Sequence, residues 1–160
     1  MKNIRILICL IIFFIVSILS IYSSTFILSS NYKDIYIRQV LWYLLGFLII
    51  FILYKKKKEF FYKYDKVLYI LGVLMLVLVL FFGTEINGSK AWFYIPKIGA
   101  IQPSEFMKIF LIIILSTTLE NYKLTNNFKN ELIIILKCFV LVLIPSILTF
   151  LEPDTGNVII

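Results

Sequence analysis

From residue 6 to residue 32 the chain runs for 27 residues without a charged side chain. A helix needs about 20 mostly apolar residues to cross a hydrocarbon core about 30 Å thick. Lipid supplies no partners for a broken backbone, so such a block can cross only as a closed structure, a helix or a barrel strand. At this length a helix is the reading. Further blocks follow at 39–54, at 67–84, at 106–119 with one interruption at Lys108, and at 132–151 with one at Lys137. The composition agrees: 61% of residues are hydrophobic and 16% charged, against about 45–50% and about 25% in soluble domains. The expected fold class is an all-α polytopic transmembrane helical bundle. It forms a single membrane domain over residues 1–160, with spans at about 6–29, 38–54, 67–83, 104–119 and 132–151. A sixth span is expected to start at Thr155, where Val158, Ile159 and Ile160 resume an apolar pattern.

Orientation follows from the placement of Lys and Arg rather than from net charge. With the N-terminus in the cytoplasm, eleven basic residues fall on inside segments and four on outside loops. The inside set includes Lys2, Arg5, the run from Lys55 to Lys58, Lys63, Lys66, Lys123, Lys129 and Lys137. Five crossings then bring Glu152, Pro153 and Asp154 to the outer side.

The formal charge of +7 suits basic cytoplasmic loops. Between two spans, the lysine run reads as an anchor on anionic headgroups rather than a nucleic-acid patch. The first apolar block is too long for a signal peptide and lacks a clean cleavage site. The chain has no histidine, which excludes Ser/His/Asp triads and histidine metal sites. Cys9 and Cys138 lie far apart in apolar blocks and fit neither zinc spacing nor a disulfide framework.

Two polar stretches depart from this apolar background. The first is an outer re-entry loop at 84–103, much longer than the usual connection of about 4–6 residues. It carries Gly88, Lys90 and Trp92, then Gln102, Pro103, Ser104 and Glu105, with Lys108 just beyond it. Pro103 suits a first helical turn, where its missing N–H is not needed. Ser104 is an alternative N-cap. Glu105 would lie at the positive end of the helix dipole. Lys108 follows on the same face, about 4.5 Å deeper. An ammonium at mid-bilayer costs about 2.5–3.5 kcal/mol on insertion scales. Two readings stay open for the pair: it anchors the helix end by snorkelling, or it lines a cavity that takes an anionic headgroup. The second stretch is Glu152, Pro153, Asp154, Thr155 and Gly156. Asp154 can cap the following helix, or its carboxylate and that of Glu152 can hold a cation or pair with Lys108.

Taken together, Asn87-Gly88-Ser89-Lys90-Ala91-Trp92, Gln102-Pro103-Ser104-Glu105-Phe106-Met107-Lys108 and Glu152-Pro153-Asp154-Thr155-Gly156 resemble the SEDS family of FtsW, RodA and SpoVE type. The resemblance implies a peptidoglycan glycosyltransferase of the bacterial cytoplasmic membrane. It polymerises lipid II at the outer face in elongation, division or sporulation, alongside a class B penicillin-binding protein. It also implies a divalent cation, Mg or Mn, at the diphosphate leaving group. Carried over by position, Lys90, Trp92, Gln102, Ser104, Glu105 and Lys108 become substrate-side or cavity residues, as do Glu152 and Asp154. Gly88, Pro103, Pro153 and Gly156 become structural positions.

The sequence departs from the family pattern in places. Ala91 stands where an arginine commonly precedes the loop tryptophan, leaving only the point charge of Lys90 nearby. Asn157 follows Gly156 where a small residue or threonine is common. Family members have about ten spans, and their catalytic aspartate lies in a later outer loop. No residue of these 160 corresponds to it, so the expectation is a truncated form, inactive by itself, with no assigned catalytic residue. The alternatives are a lipid II translocator, a scaffold for a penicillin-binding protein, or an unrelated membrane protein.

Overall fold

Long runs of Leu, Ile, Val and Phe become helices because a helix satisfies its own backbone without water. The computed structural model describes residues 2–27, 35–86, 88–96, 99–122 and 128–159; residues 28–29 of the first expected span fall outside that set. Four helices are long and apolar enough to cross a membrane: Ile4–Ser24, Ile37–Tyr54, Lys58–Phe82 and Phe128–Leu151. The protein is a multi-pass membrane protein. Its helices keep many large apolar side chains on the outside, among them Phe13, Leu41, Ile70 and Phe139. That surface suits lipid or neighbouring helices rather than water.

The first of two compact units is Met1–Lys56. It contains α1 (Lys2–Ile27) and α2 (Ile35–Tyr54). Phe14 meets the rings of Tyr43 and Phe47 edge-on, with centroids 5.0 and 6.2 Å apart. Gln39 Nε2 donates to Ser17 Oγ at 3.0 Å, a polar tie of the kind that holds helices together in lipid. At the end of α2, Lys55 places its ammonium 4.4 Å from the centre of the Phe51 ring.

The second unit, Lys57–Ile160, holds α3 (Lys58–Phe82), β1 (Thr84–Ile86), β2 (Ser89–Ile95), β3 (Gly99–Ile101), α4 (Pro103–Glu120), α5 (Phe128–Leu151) and α6 (Thr155–Ile159). Tyr69, Leu76, Met107 and Ile114 form its core, with Val73, Leu111, Leu141 and Leu148 packed against them. Lipid tails are as apolar as leucine, so close packing rather than escape from water joins these helices. Gly72 permits that packing: a Cβ there would collide with Met107 Sδ and lie 2.9 Å from Phe110 Cδ2.

Pro145 lies inside α5. Proline has no N–H, so the carbonyl of Leu141, one turn earlier, loses its helical donor. The hydroxyl of Tyr69, on α3, donates to that carbonyl at 2.9 Å. Two elements thus exchange a lost intrahelical bond for an interhelical one.

The helical expectation holds for most of the chain, and the structure adds a small sheet in the loop before α4 that the all-α expectation leaves out. Residues 84–101 contain a three-stranded antiparallel sheet of order β1-β2-β3. Thr84 pairs with Trp92 and Ile86 with Ser89, with an irregularity between them. Phe93, Tyr94 and Ile95 pair with Ile101, Ala100 and Gly99. Aromatic and β-branched residues favour the pleated surface. Gly88, at φ 82°, supplies the left-handed conformation that the tight turn from β1 to β2 requires.

Helix ends also shift from expectation. α3 begins at Lys58 rather than at 67, because its charged first turns extend the helix beyond the apolar run. α4 carries Glu105, Lys108 and Glu120 within 18 residues. With these charges placed from its first turn to its last, α4 is by length and composition not among the four.

Candidate functional site

The two polar stretches meet at one end of the second unit. β2 arrives with Ser89, whose Oγ donates to the backbone carbonyl of Glu152 at 2.7 Å. α4 starts from Gln102, whose extended backbone makes it the N-cap, with Pro103 at the first helical position. Pro103 is fully buried there. Ser104 is therefore not the cap; its hydroxyl instead accepts from Asn157 Nδ2 at 3.2 Å. Gln102 Nε2 donates to Asp154 Oδ2, which joins the start of α4 to the turn between α5 and α6.

Asp154 is the hub of that turn. Its Oδ1 accepts from the backbone N–H of Asn157 at 3.3 Å, the bond of an N-cap three residues before its donor. Its Oδ2 also accepts from Asn157 Nδ2 at 2.7 Å. Asn157 in turn accepts from Lys108 Nζ at 3.1 Å. Lys108 Nζ lies 2.9 Å from Glu105 Oε1. Glu105, Lys108, Asn157, Ser104, Asp154 and Gln102 thus form one connected polar network at the head of α4.

Below Lys108 a groove of about 430 Å³ runs between α4 and α5. Ser104, Lys108 and Asn157 lie along its polar edge, and Leu111, Leu115 and Val142 line its apolar length. The Lys108 side chain is 30% exposed and that of Glu105 is 54% exposed. The ammonium therefore faces the groove while its carboxylate partner faces out. An ammonium above an apolar channel suits a molecule with an anionic head and a hydrocarbon tail.

Glu152 stands apart. Its side chain is fully buried, and among the described residues neither carboxylate oxygen has a hydrogen-bond partner. Burial, and secondarily the charge of Asp154, push its carboxyl up to about 7. A carboxyl in this state can hold a proton near neutral pH.

Other expected residues lie elsewhere. Lys90 donates to the carbonyl of Phe81 at 3.2 Å, closing the C-terminal turn of α3, where a cation is favoured. Ala91 beside it is fully buried, so position 91 is a packing position. Trp92 is half-buried in β2, and its carbonyl accepts from Thr84 Oγ1 at 3.1 Å. Pro153 and Gly156 are exposed around the α5–α6 turn. Asn157, the residue that bonds to Lys108, Ser104 and Asp154, is not among the expected site residues. Its signal is its spacing three residues after an acidic cap, where an amide can bond back to the cap.

The carboxylates do not fit a resident divalent cation. Among the described residues no three His, Cys, Asp or Glu side chains gather. Asp154 already accepts from Gln102 and Asn157, and a hard cation wants an oxygen-rich shell of six or more ligands.

Comparison with known proteins gives concordant results. A family model described as cell cycle protein, FTSW_RODA_SPOVE, matches residues 3–160. The probable peptidoglycan glycosyltransferase FtsW of Buchnera aphidicola subsp. Schizaphis graminum is 33% identical over 77% of the chain and 34% of its own length. Its counterpart in Hydrogenovibrio crunogenus is 37% identical over 71% of the chain and 28% of its own length. The matched region thus spans about a third of these relatives. The crystal structure of the Thermus thermophilus rod shape determining protein RodA superposes with TM-score 0.64 at 31% identity, over 77% of this chain and 39% of that one. A chain from a peptidoglycan synthase complex, described in terms of coordinated polymerization and crosslinking, superposes with TM-score 0.68 at 27% identity, over 92% and 42%.

Proposed function

Because the chain belongs to the FtsW/RodA/SpoVE family of cell cycle proteins, we propose that it is the lipid II-holding part of a SEDS-type peptidoglycan glycosyltransferase. It works at the outer face of the bacterial cytoplasmic membrane, with its N-terminus inside. α4 makes the fourth of five crossings; its 18 residues span about 27 Å, and its charged residues sit near its two ends. The observation that carries this reading is Lys108, held between Glu105 and Asn157 at the head of an apolar groove.

The proposed chemistry joins two lipid II molecules. The 4-hydroxyl of the acceptor sugar attacks the anomeric carbon of the donor, and the bond from that carbon to the diphosphate oxygen breaks. Lys108 faces the diphosphate and offsets the charge it gains as it leaves. Asn157 and Glu105 fix the ammonium so that little reorganisation is needed at that moment. The groove receives the polyprenyl tail and keeps water from the head of α4. The acceptor proton goes to the aspartate that the family resemblance places in a later outer loop, and none of the described residues is assigned as that base. A divalent cation would arrive with the diphosphate and supply further charge neutralisation, and no residue of this chain is assigned to it. A class B penicillin-binding protein is the proposed partner.

The test is lipid II binding to the purified chain in nanodiscs, with strand growth followed in parallel on a gel. Lys108→Gln is expected to weaken binding about ten-fold or more, the scale of one lost charge-assisted hydrogen bond. Lipid II binding by a full-length relative carrying this segment, without strand growth, favours a translocator or scaffold. Absence of specific lipid II binding by the chain sinks the proposal.

A further inference from the structure

The far end of the same helices carries a second polar cavity. It has a volume of about 320 Å³ and lies where α3, α4 and α5 come together, lined by Asp65, Lys66, Thr117, Asn121, Ile134 and Lys137 among others. Its height in the membrane follows from helix rise. Lys66 lies sixteen residues before the end of α3 at Phe82, or about 24 Å. Lys137 lies fourteen before the end of α5 at Leu151, and Thr117 fourteen after the start of α4 at Pro103, each about 21 Å. The Gln102–Asp154 bond holds the start of α4 against the end of α5, and β2, bonded to Phe81 at the end of α3 through Lys90 and to Glu152 through Ser89, brings the third helix end to the same level. The cavity therefore sits near the lower edge of a hydrocarbon core about 30 Å thick, within reach of the headgroups for a lysine that extends its stem.

The charges inside it are unequal. Asp65 is occupied by neutral donors: Thr117 Oγ1 donates to its Oδ2 at 2.5 Å, and the backbone N–H of Lys66 to its Oδ1 at 2.6 Å. Neither the Lys66 nor the Lys137 ammonium enters an ion pair or a side-chain hydrogen bond among the described residues. Two free ammoniums and one carboxylate leave a net charge of +1, which matches one phosphodiester. Asn121 adds an amide, and Ile134 offers an apolar wall beside the acyl region. Basic pockets between spanning helices at this level take anionic headgroups.

We propose that this cavity is a site for the phosphate of an anionic phospholipid such as phosphatidylglycerol, held by Lys66 and Lys137 from the cytoplasmic leaflet. The site is separate from the groove under Lys108 and does not depend on the polymerase reading. A bound lipid there bridges α3 and α5 and fastens the inner ends of the helices, as the polar network fastens the outer ends.

Native mass spectrometry of the full chain in detergent, titrated with phosphatidylglycerol, phosphatidylethanolamine and inorganic phosphate, tests this. Lys66→Gln/Lys137→Gln is expected to lower phosphatidylglycerol affinity about 30-fold, the loss of two lysine attractions to an anionic lipid surface. Lys66→Arg/Lys137→Arg should retain it. Arg5→Gln/Arg38→Gln removes the same charge at exposed positions outside both the cavity and the lysine run, and should change it less than about two-fold. Equal losses in both glutamine pairs would show diffuse attraction and overturn the site. Equal retention of phosphatidylethanolamine would overturn its charge selectivity. Displacement by millimolar inorganic phosphate would show an anion site with no need of a lipid, and would overturn the assignment as well.

Discussion

Replacing Glu152 by glutamine should stabilise this protein at neutral and alkaline pH. The side chain is fully enclosed, and among the described residues its two oxygens have no partners. Its carboxyl is raised from 4.5 to about 7, by burial first and by Asp154 second. The folded state therefore binds the proton more tightly than the unfolded state does. The stability this confers is present below about 4.5 and is lost as pH rises through about 7. One pKa unit corresponds to about 1.4 kcal/mol, so the rise caps the penalty at about 3 kcal/mol; relaxation of the surroundings brings the expected figure to about 1–2 kcal/mol. A glutamine side chain keeps the shape and never ionises. In mild detergent at pH 8, Glu152→Gln should melt a few degrees higher than the parent; at pH 4 the two should agree to within about 0.5 kcal/mol. Tryptophan fluorescence from Trp42 and Trp92 reports the transition. A parent protein and variant whose melting temperatures differ by the same amount at both pH values would refute the reasoning, as would a variant that melts lower at pH 8.

Four further substitutions probe the packing and the network. Tyr69→Phe removes the hydroxyl that serves the Leu141 carbonyl freed by Pro145, and should cost about 1 kcal/mol in thermal unfolding. Adding Pro145→Ala should recover most of that loss, because the helix regains its own donor. Gly72→Leu drives a side chain into Met107 and Phe110; a loss of about 1–3 kcal/mol is expected, read as a lower melting temperature. Asn157→Ala takes away the acceptor of Lys108 and the donor to Ser104 and Asp154. It should weaken lipid II binding several-fold while leaving helix content by circular dichroism unchanged.

What the sequence discloses depends on how local its physics is. α1 and α2 are readable because an unbroken apolar block admits few other structures in lipid. The start of α3 is not, since Glu59, Lys63 and Asp65 end the apolar run without ending the helix. The sheet has a readable signal, Asn87-Gly88 between Ile86 and Ser89, which is a two-residue hairpin pattern; the reading of a wholly helical bundle passes over it. Pro103 at the first turn of α4 and Asp154 as the cap of α6 obey local rules and are legible. The bond from Tyr69 to Leu141 spans 72 residues. That from Gln102 to Asp154 spans 52. No local pattern encodes such partners. For the same reason Lys90 reads from sequence as a substrate-side charge, whereas its nearest acceptor is the end of the helix just before it.

The groove below Lys108 is the centre of the functional account, and photo-crosslinking to lipid II tests it most directly. A photoreactive residue at position 146 lies on the groove wall, whereas one at 135 lies on an exposed position of the same helix, outside the groove. The account predicts a lipid II adduct from position 146 that is lost with Lys108→Gln, and little adduct from position 135. Equal labelling from both positions, unaffected by Lys108→Gln, would contradict it.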